Sequence, residues 1–149
     1  MTRDVLIRLS GLQAMEGDEG SVEVITSGDY FLKNNKHYLI YDEVMEGMDG
    51  TIRNTMKLTP EKLEIKKSGP ISANMTFEVD KKTQTHYVTP MGELVVEMLT
   101  NRIDFIQEDD HMKVEVEYSL DINYDHVSDC HITLDITSKG CAKLDLAEN

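Results

Sequence analysis

The chain has 149 residues, enough for one domain that buries a core without disulfide staples. Its 28 Asp and Glu against 15 Lys and Arg set a formal charge of -13, which argues against nucleic acid and anionic membrane as partners, since both are held by Lys and Arg. An apolar content of 40% argues against disorder, and two cysteines, Cys130 and Cys141, are too few for a disulfide framework.

At the N-terminus, Val5, Ile7 and Leu9 alternate with Leu6, Arg8 and Ser10, a half-buried strand. Asp4 and Arg8 interrupt the apolar run, so the segment does not read as a signal peptide. No window holds 18 consecutive apolar residues, and the expectation is a soluble cytoplasmic protein with reduced thiols. Val22–Leu32 is a second extended segment, with a bulge predicted at Gly28. Asn34-Asn35-Lys36 is a turn leading into HYLIYDEV, and Glu46–Gly50 is the next connection.

Ile52, Asn54, Met56 and Leu58 then oppose Thr51, Arg53, Thr55 and Lys57. Thr59-Pro60-Glu61 turns the chain into KLEIKK, and Ser68-Gly69-Pro70 turns it into Ile71, Ala73, Met75, Phe77 and Val79. THYVTPMGELVVEMLT, residues 85–100, is ambiguous: Met91, Leu94, Val95, Met98 and Leu99 have helical spacing, yet Leu94, Val96 and Met98 also share one face of a strand. Gly92 in a first turn, the lack of a cap and the neighbouring alternations favour one extended strand, bent at Thr89-Pro90 and Gly92. Val95 and Leu99 then form an outer apolar patch, under a terminal segment or in a homodimer contact.

Gln107–His111 is an acidic hairpin turn without the pattern of a calcium loop. HMKVEVEYSLDINYD alternates from Met112 to Tyr124, the clearest strand in the chain. DHVSD is predicted as the turn to its partner, in which Cys130, Ile132, Leu134 and Ile136 face one way. The tail after Gly140 is left unassigned. The sum is an all-β chain, a single antiparallel up-and-down β-barrel of about eight to ten strands spanning residues 1–149, with the apolar parity inside.

The order YLIYDEV, TIRNTMKL, IKKSGPISANMTF, THYVTPMGELVVEMLT and KVEVEYSLDIN resembles the YwiB-like family of bacterial proteins, with Ser68-Gly69 and Gly92-Glu93 as its sharpest marks. That resemblance implies a calycin-like, or lipocalin-like, barrel of unknown function. Relatives usually carry Arg before the Ser-Gly; here Lys67 keeps the charge and loses the planar fork.

Five polar residues lie in phase with apolar faces: Glu43, Asn54, Lys67, Thr100 and Tyr118. If those faces point inward, a carboxylate, an amide, an ammonium and two hydroxyls enter an apolar interior, and Glu43 and Lys67 must pair or find hydroxyls. They form a satisfied polar plug, lie at the barrel mouth in water, or are the placed groups of a ligand site. The leading functional expectation is a module that binds a small, partly apolar molecule in the barrel. The alternatives are an enzyme using Glu43 or Glu93 as base with Lys67 beside it, and a filled structural or protein-interaction barrel. Asp125, His126, Asp129, Cys130 and His131 are metal-ligand types, but His126 and His131 match no standard zinc spacing. Neither a cofactor nor a metal is expected, and no catalytic residue is assigned.

Overall fold

The computed structural model describes residues 1–11, 23–44 and 49–139. Ten strands run in order: β1 (Asp4–Ser10), β2 (Glu23–Lys33), β3 (Lys36–Glu43), β4 (Ile52–Thr59), β5 (Lys62–Ser68), β6 (Ala73–Glu78), β7 (Lys82–Thr89), β8 (Gly92–Gln107), β9 (His111–Ile122) and β10 (Asp125–Ser138). All form one sheet in the order β6-β5-β4-β3-β2-β1-β10-β9-β8-β7. Apart from β6 and β7, strands consecutive in the chain pair antiparallel, and β1 also pairs with β10 (Ile7 opposite Ile136). Only β6 against β7 lacks a ladder. There Ser72 and Val88 exchange two backbone hydrogen bonds of 2.9 Å, and the barrel is nearly closed.

The period of two places the apolar parity inside, as the alternation requires. On β9, Met112, Val114, Val116, Tyr118 and Leu120 are all buried, while the residues between them are partly exposed. Side chains from all ten strands join in one hydrophobic cluster. Among the described residues no helix is long and apolar enough to cross a membrane.

Three local expectations are corrected. Residues 85–100 form a hairpin, not one bent strand: Thr89 pairs with Gly92 and the turn falls on Pro90-Met91. The extended reading holds, but the bend is a reversal, because proline fits the turn and Gly92 supplies φ +136°. Gly28 is not a bulge either, since β1 and β2 keep register across it. A Cβ there would come within 2.5 Å of Ile7 Cδ1 and 2.9 Å of the Ile40 carbonyl, so glycine permits a close approach. Finally, DHVSD is not a turn. The chain reverses at Asn123-Tyr124, whose φ of 49° and 71° make a type I′ pair, and the register shift comes later, between His126 and Ser128. Tyr124 leaves the inward parity and is 70% exposed. The connection at Glu46–Gly50 lies partly, and the tail after Gly140 wholly, outside the described residues.

Candidate functional site

Glu43 ends β3, Asn54 sits near the start of β4 and Lys67 near the end of β5, so strand direction brings all three to one end of the barrel. The register completes the approach. Asn54 lies opposite both Tyr41 and Lys67, and Glu43 opposite Ile52, one inward step further on. The Lys67 ammonium donates to Glu43 Oε1 and to Asn54 Oδ1, each at 3.0 Å, and Asn54 Nδ2 donates to the same Glu43 oxygen at 3.1 Å. An asparagine suits the corner between ammonium and carboxylate because it accepts from one and donates to the other. Asn54 and Lys67 are buried, and the Glu43 side chain keeps 14% of its exposure. On the far side of Lys67 the small Ala73 stands opposite it on β6.

Gly69 builds the same end. Its φ of +138° suits only glycine, and a Cβ would fall 2.6 Å from the Thr51 carbonyl. The Ser68-Gly69 turn thus lets the β5–β6 connection lie against the start of β4, beside the Asn54–Lys67 pair.

Thr100 and Tyr118 are not part of this triangle. They face each other across β8 and β9, and Cys130 of β10 lies opposite Tyr118. The Tyr118 ring packs edge-on against Phe77, centroids 4.9 Å apart. Thr100 Oγ1 and the Tyr118 hydroxyl are buried without a hydrogen bond of ordinary geometry. Burial first, then the Cys130 thiol, hold the Tyr118 proton well above its usual range. The five interior candidates therefore divide into a satisfied ionic triangle and an unsatisfied hydroxyl pair.

Glu93, the alternative base, points outward. It is hydrogen-bonded to His86 on the exposed side of the β7–β8 hairpin, away from Lys67. The Asp/His/Cys cluster is spread along a strand: Cys130 turns inward toward Ser128 Oγ (3.2 Å), while His126 contacts Asp121 at 3.2 Å and His131 faces Glu115 on the outer surface. Among the described residues no three His, Cys, Asp or Glu side chains converge as metal ligands do.

A further polar spot escaped the sequence reading. His37 is buried at the other end of β3, with Nδ1 hydrogen-bonded to the Tyr30 hydroxyl at 2.5 Å and its ring 5.5 Å from Phe105. Burial lowers the pKa of His37 and raises that of Tyr30, so both are held neutral. His37 shares parity with Leu39 and Tyr41, the same signal that marked Glu43.

A nearly closed antiparallel meander of ten strands, apolar within and with an ion pair at one end, defines a β-barrel protein. The sequence comparison places it more closely: residues 7–134 match the domain of unknown function DUF1934, and the chain belongs to that family. It is 27% identical over 121 residues to the uncharacterized β-barrel protein YwiB of Bacillus subtilis (strain 168), covering 78% of this chain and 84% of that one. The crystal structure of the B. subtilis ywiB protein superposes with a TM-score of 0.71 at 22% identity, over 91% of this chain and 89% of the other. The shared fold is that barrel.

Proposed function

We propose that the protein is a non-enzymatic interaction barrel of the cytoplasm whose interior serves stability. The supporting observation is the packing of the inside. A chamber large enough for a ligand would leave its lining open to a water-sized sphere, yet Ile7, Leu39, Met56, Phe77, Val96 and Leu134 are 0% exposed. The ionic triangle is likewise satisfied by its own members, without an outside group. Surface chemistry supports the interaction half of the reading. At the triangle's end the turns carry Val44, Met91 and Tyr124, which are 77%, 95% and 70% exposed, with Val88 and Val127 beside them.

A second reading, a small and partly apolar molecule bound in the interior, is favoured by Thr100 and Tyr118. Two buried hydroxyls, Thr100 without a partner and Tyr118 with only the Cys130 thiol beside it, are what a polar ligand atom or a water would satisfy once the packing relaxes. Small-molecule extraction with mass spectrometry, combined with Thr100→Val, separates the two. The filled barrel requires no stoichiometric ligand and a Thr100→Val stability equal to or about 1 kcal/mol above the parent, because the change removes an unsatisfied hydroxyl. A co-purifying molecule, released by Tyr118→Phe, would establish the ligand instead.

A further inference from the structure

Charge is unevenly distributed over the outside of the barrel. The outward positions of β8–β10 are dominated by carboxylates, among them Glu97, Glu115, Glu117, Asp121, Asp129 and Asp135, against Arg102 and Lys113. The outward positions of β3–β6 instead carry Lys36, Arg53, Lys57, Lys62 and Lys66, against Asp42, Glu64 and Glu78. A chain of charge -13 thus presents one cationic face.

That face is also grooved. A depression of about 340 Å³ lies between two cross-strand rows, Tyr38–Lys57–Glu64–Thr76 and Thr55–Lys66–Asn74. A second, of about 210 Å³, adjoins it through Lys57 and Glu64 and is lined further by Lys36 and Lys62. Thr55, Asn74 and Thr76 line the first depression together with Lys57 and Lys66. Lys57 and Lys62 share Glu64 at 3.7 and 3.3 Å, and Lys62 also reaches Glu78 at 3.9 Å. Lys36 and Lys66, both exposed, have no ion pair among the described residues.

We propose that the outward face of β3–β6 is a docking surface for an acidic stretch of a partner polypeptide. This names the chemistry of a partner for the interaction barrel and rests on that reading. Complementarity selects the occupant: the carboxylates of β8–β10 repel an acidic segment, and the lysines of β3–β6 attract it. The threonine hydroxyls and the Asn74 amide add hydrogen-bonding groups for carboxylates and peptide backbone. Nucleic acid is disfavoured by the same surface. Arg53, the arginine of the face, is held by Asp42 at 3.1 Å, and Tyr38 is its one ring, whereas single strands are gripped by stacked aromatics and free guanidinium groups. A long polyanion would moreover extend over the acidic remainder.

Fluorescence anisotropy with a labelled octaglutamate peptide tests the proposal. The full chain binds it at low salt and about tenfold more weakly at physiological ionic strength. The Lys36→Glu/Lys66→Glu variant loses binding at least about tenfold, and Lys113→Glu on the opposite face does not. The thermal melt of the Lys36→Glu/Lys66→Glu variant matches the parent, since neither lysine holds an ion pair among the described residues. Absence of binding at low salt, or equal binding by the double variant, overturns the proposal. Tighter binding of an octathymidylate would assign the face to nucleic acid, and dimers lost on the same lysine changes would assign it to a second copy; either overturns it. Failure with the peptide leaves the filled interior standing, whereas a ligand extracted from that interior overturns the interaction-barrel reading.

Discussion

Lys67 shows how one side chain can be both necessary and unfavourable. Its ammonium loses hydration inside the barrel and recovers it as hydrogen bonds to Glu43 and Asn54, so the pair is favourable only when complete. Lys67→Met leaves the Glu43 carboxylate with the Asn54 amide but without its counter-ion, and urea denaturation should show a loss of roughly 3 kcal/mol. Glu43→Gln in the Lys67→Met background should recover part of that loss, with a coupling of about 1–3 kcal/mol in the double-mutant cycle. Additive losses would mean that the 3.0 Å contact carries no energy. Thr100 and Tyr118 illustrate the reverse case. Inside the described barrel Thr100 Oγ1 finds no hydrogen bond and the Tyr118 hydroxyl has only the Cys130 thiol, while the Tyr118 ring earns its place through its contact with Phe77.

The strands are joined largely by hairpins whose turn residues match their geometry. Asn34-Asn35 and Asn123-Tyr124 both adopt positive φ, which twists a two-residue loop in the sense of the flanking strands. The weak junction is β6 against β7. Beyond the Ser72–Val88 bridge, threonines substitute for the missing ladder: the Asn74 N–H donates to Thr85 Oγ1 at 3.3 Å, and the Thr83 hydroxyl donates to the Thr76 carbonyl. Side-chain hydroxyls reach across a gap too wide for backbone pairing, and local opening should begin there. Native-state hydrogen exchange should therefore find the β6 and β7 edge amides exchanging well before those of β9, which is paired on both sides. Thr85→Val strands the Asn74 N–H and should cost about 1 kcal/mol while accelerating exchange in β6 more than in β9. Uniform protection around the barrel would contradict a seam.

The whole molecule responds to acid through its second polar spot. Burial keeps the folded-state pKa of His37 below its ordinary 6.5, so the unfolded chain takes up that proton first. Stability is therefore full above the unfolded value and declines as pH falls from about 6.5 toward the folded value. Tyr30, which faces the imidazole, stays neutral throughout this window. Glu78, held low by its hydrogen bond to Lys81, adds a loss only below its ordinary 4.5. Melting temperature should thus drop as pH falls below about 6.5, and His37→Gln should flatten that slope. An unchanged slope would place the acid sensitivity elsewhere.

Much of this was legible along the chain. Alternation is local, so the inward parity of β9 and β10 could be read from Val114, Val116, Ile132 and Leu134 alone, and the same parity marked Glu43, Asn54 and Lys67 as interior. A buried charge must find a partner, which left Glu43 and Lys67 to pair with each other or with hydroxyls; strand register chose the first and added Asn54. Reversals were harder to read. Tyr124 continues the apolar phase and Pro90 tolerates either a bend or a turn, so both positions were decided by the pairing partner across the hairpin. The sequence by itself determined the inward parity of most strands and that the sheet is a meander, because side-chain period and hairpin chemistry are short-range. Tertiary structure alone decided that Thr100 and Tyr118 stand apart from the ionic triangle, that the barrel meets itself at β6 and β7, and that the lysines of β3–β6 share one face. Each depends on register between distant segments, which is set by packing around the closed sheet rather than by any local pattern.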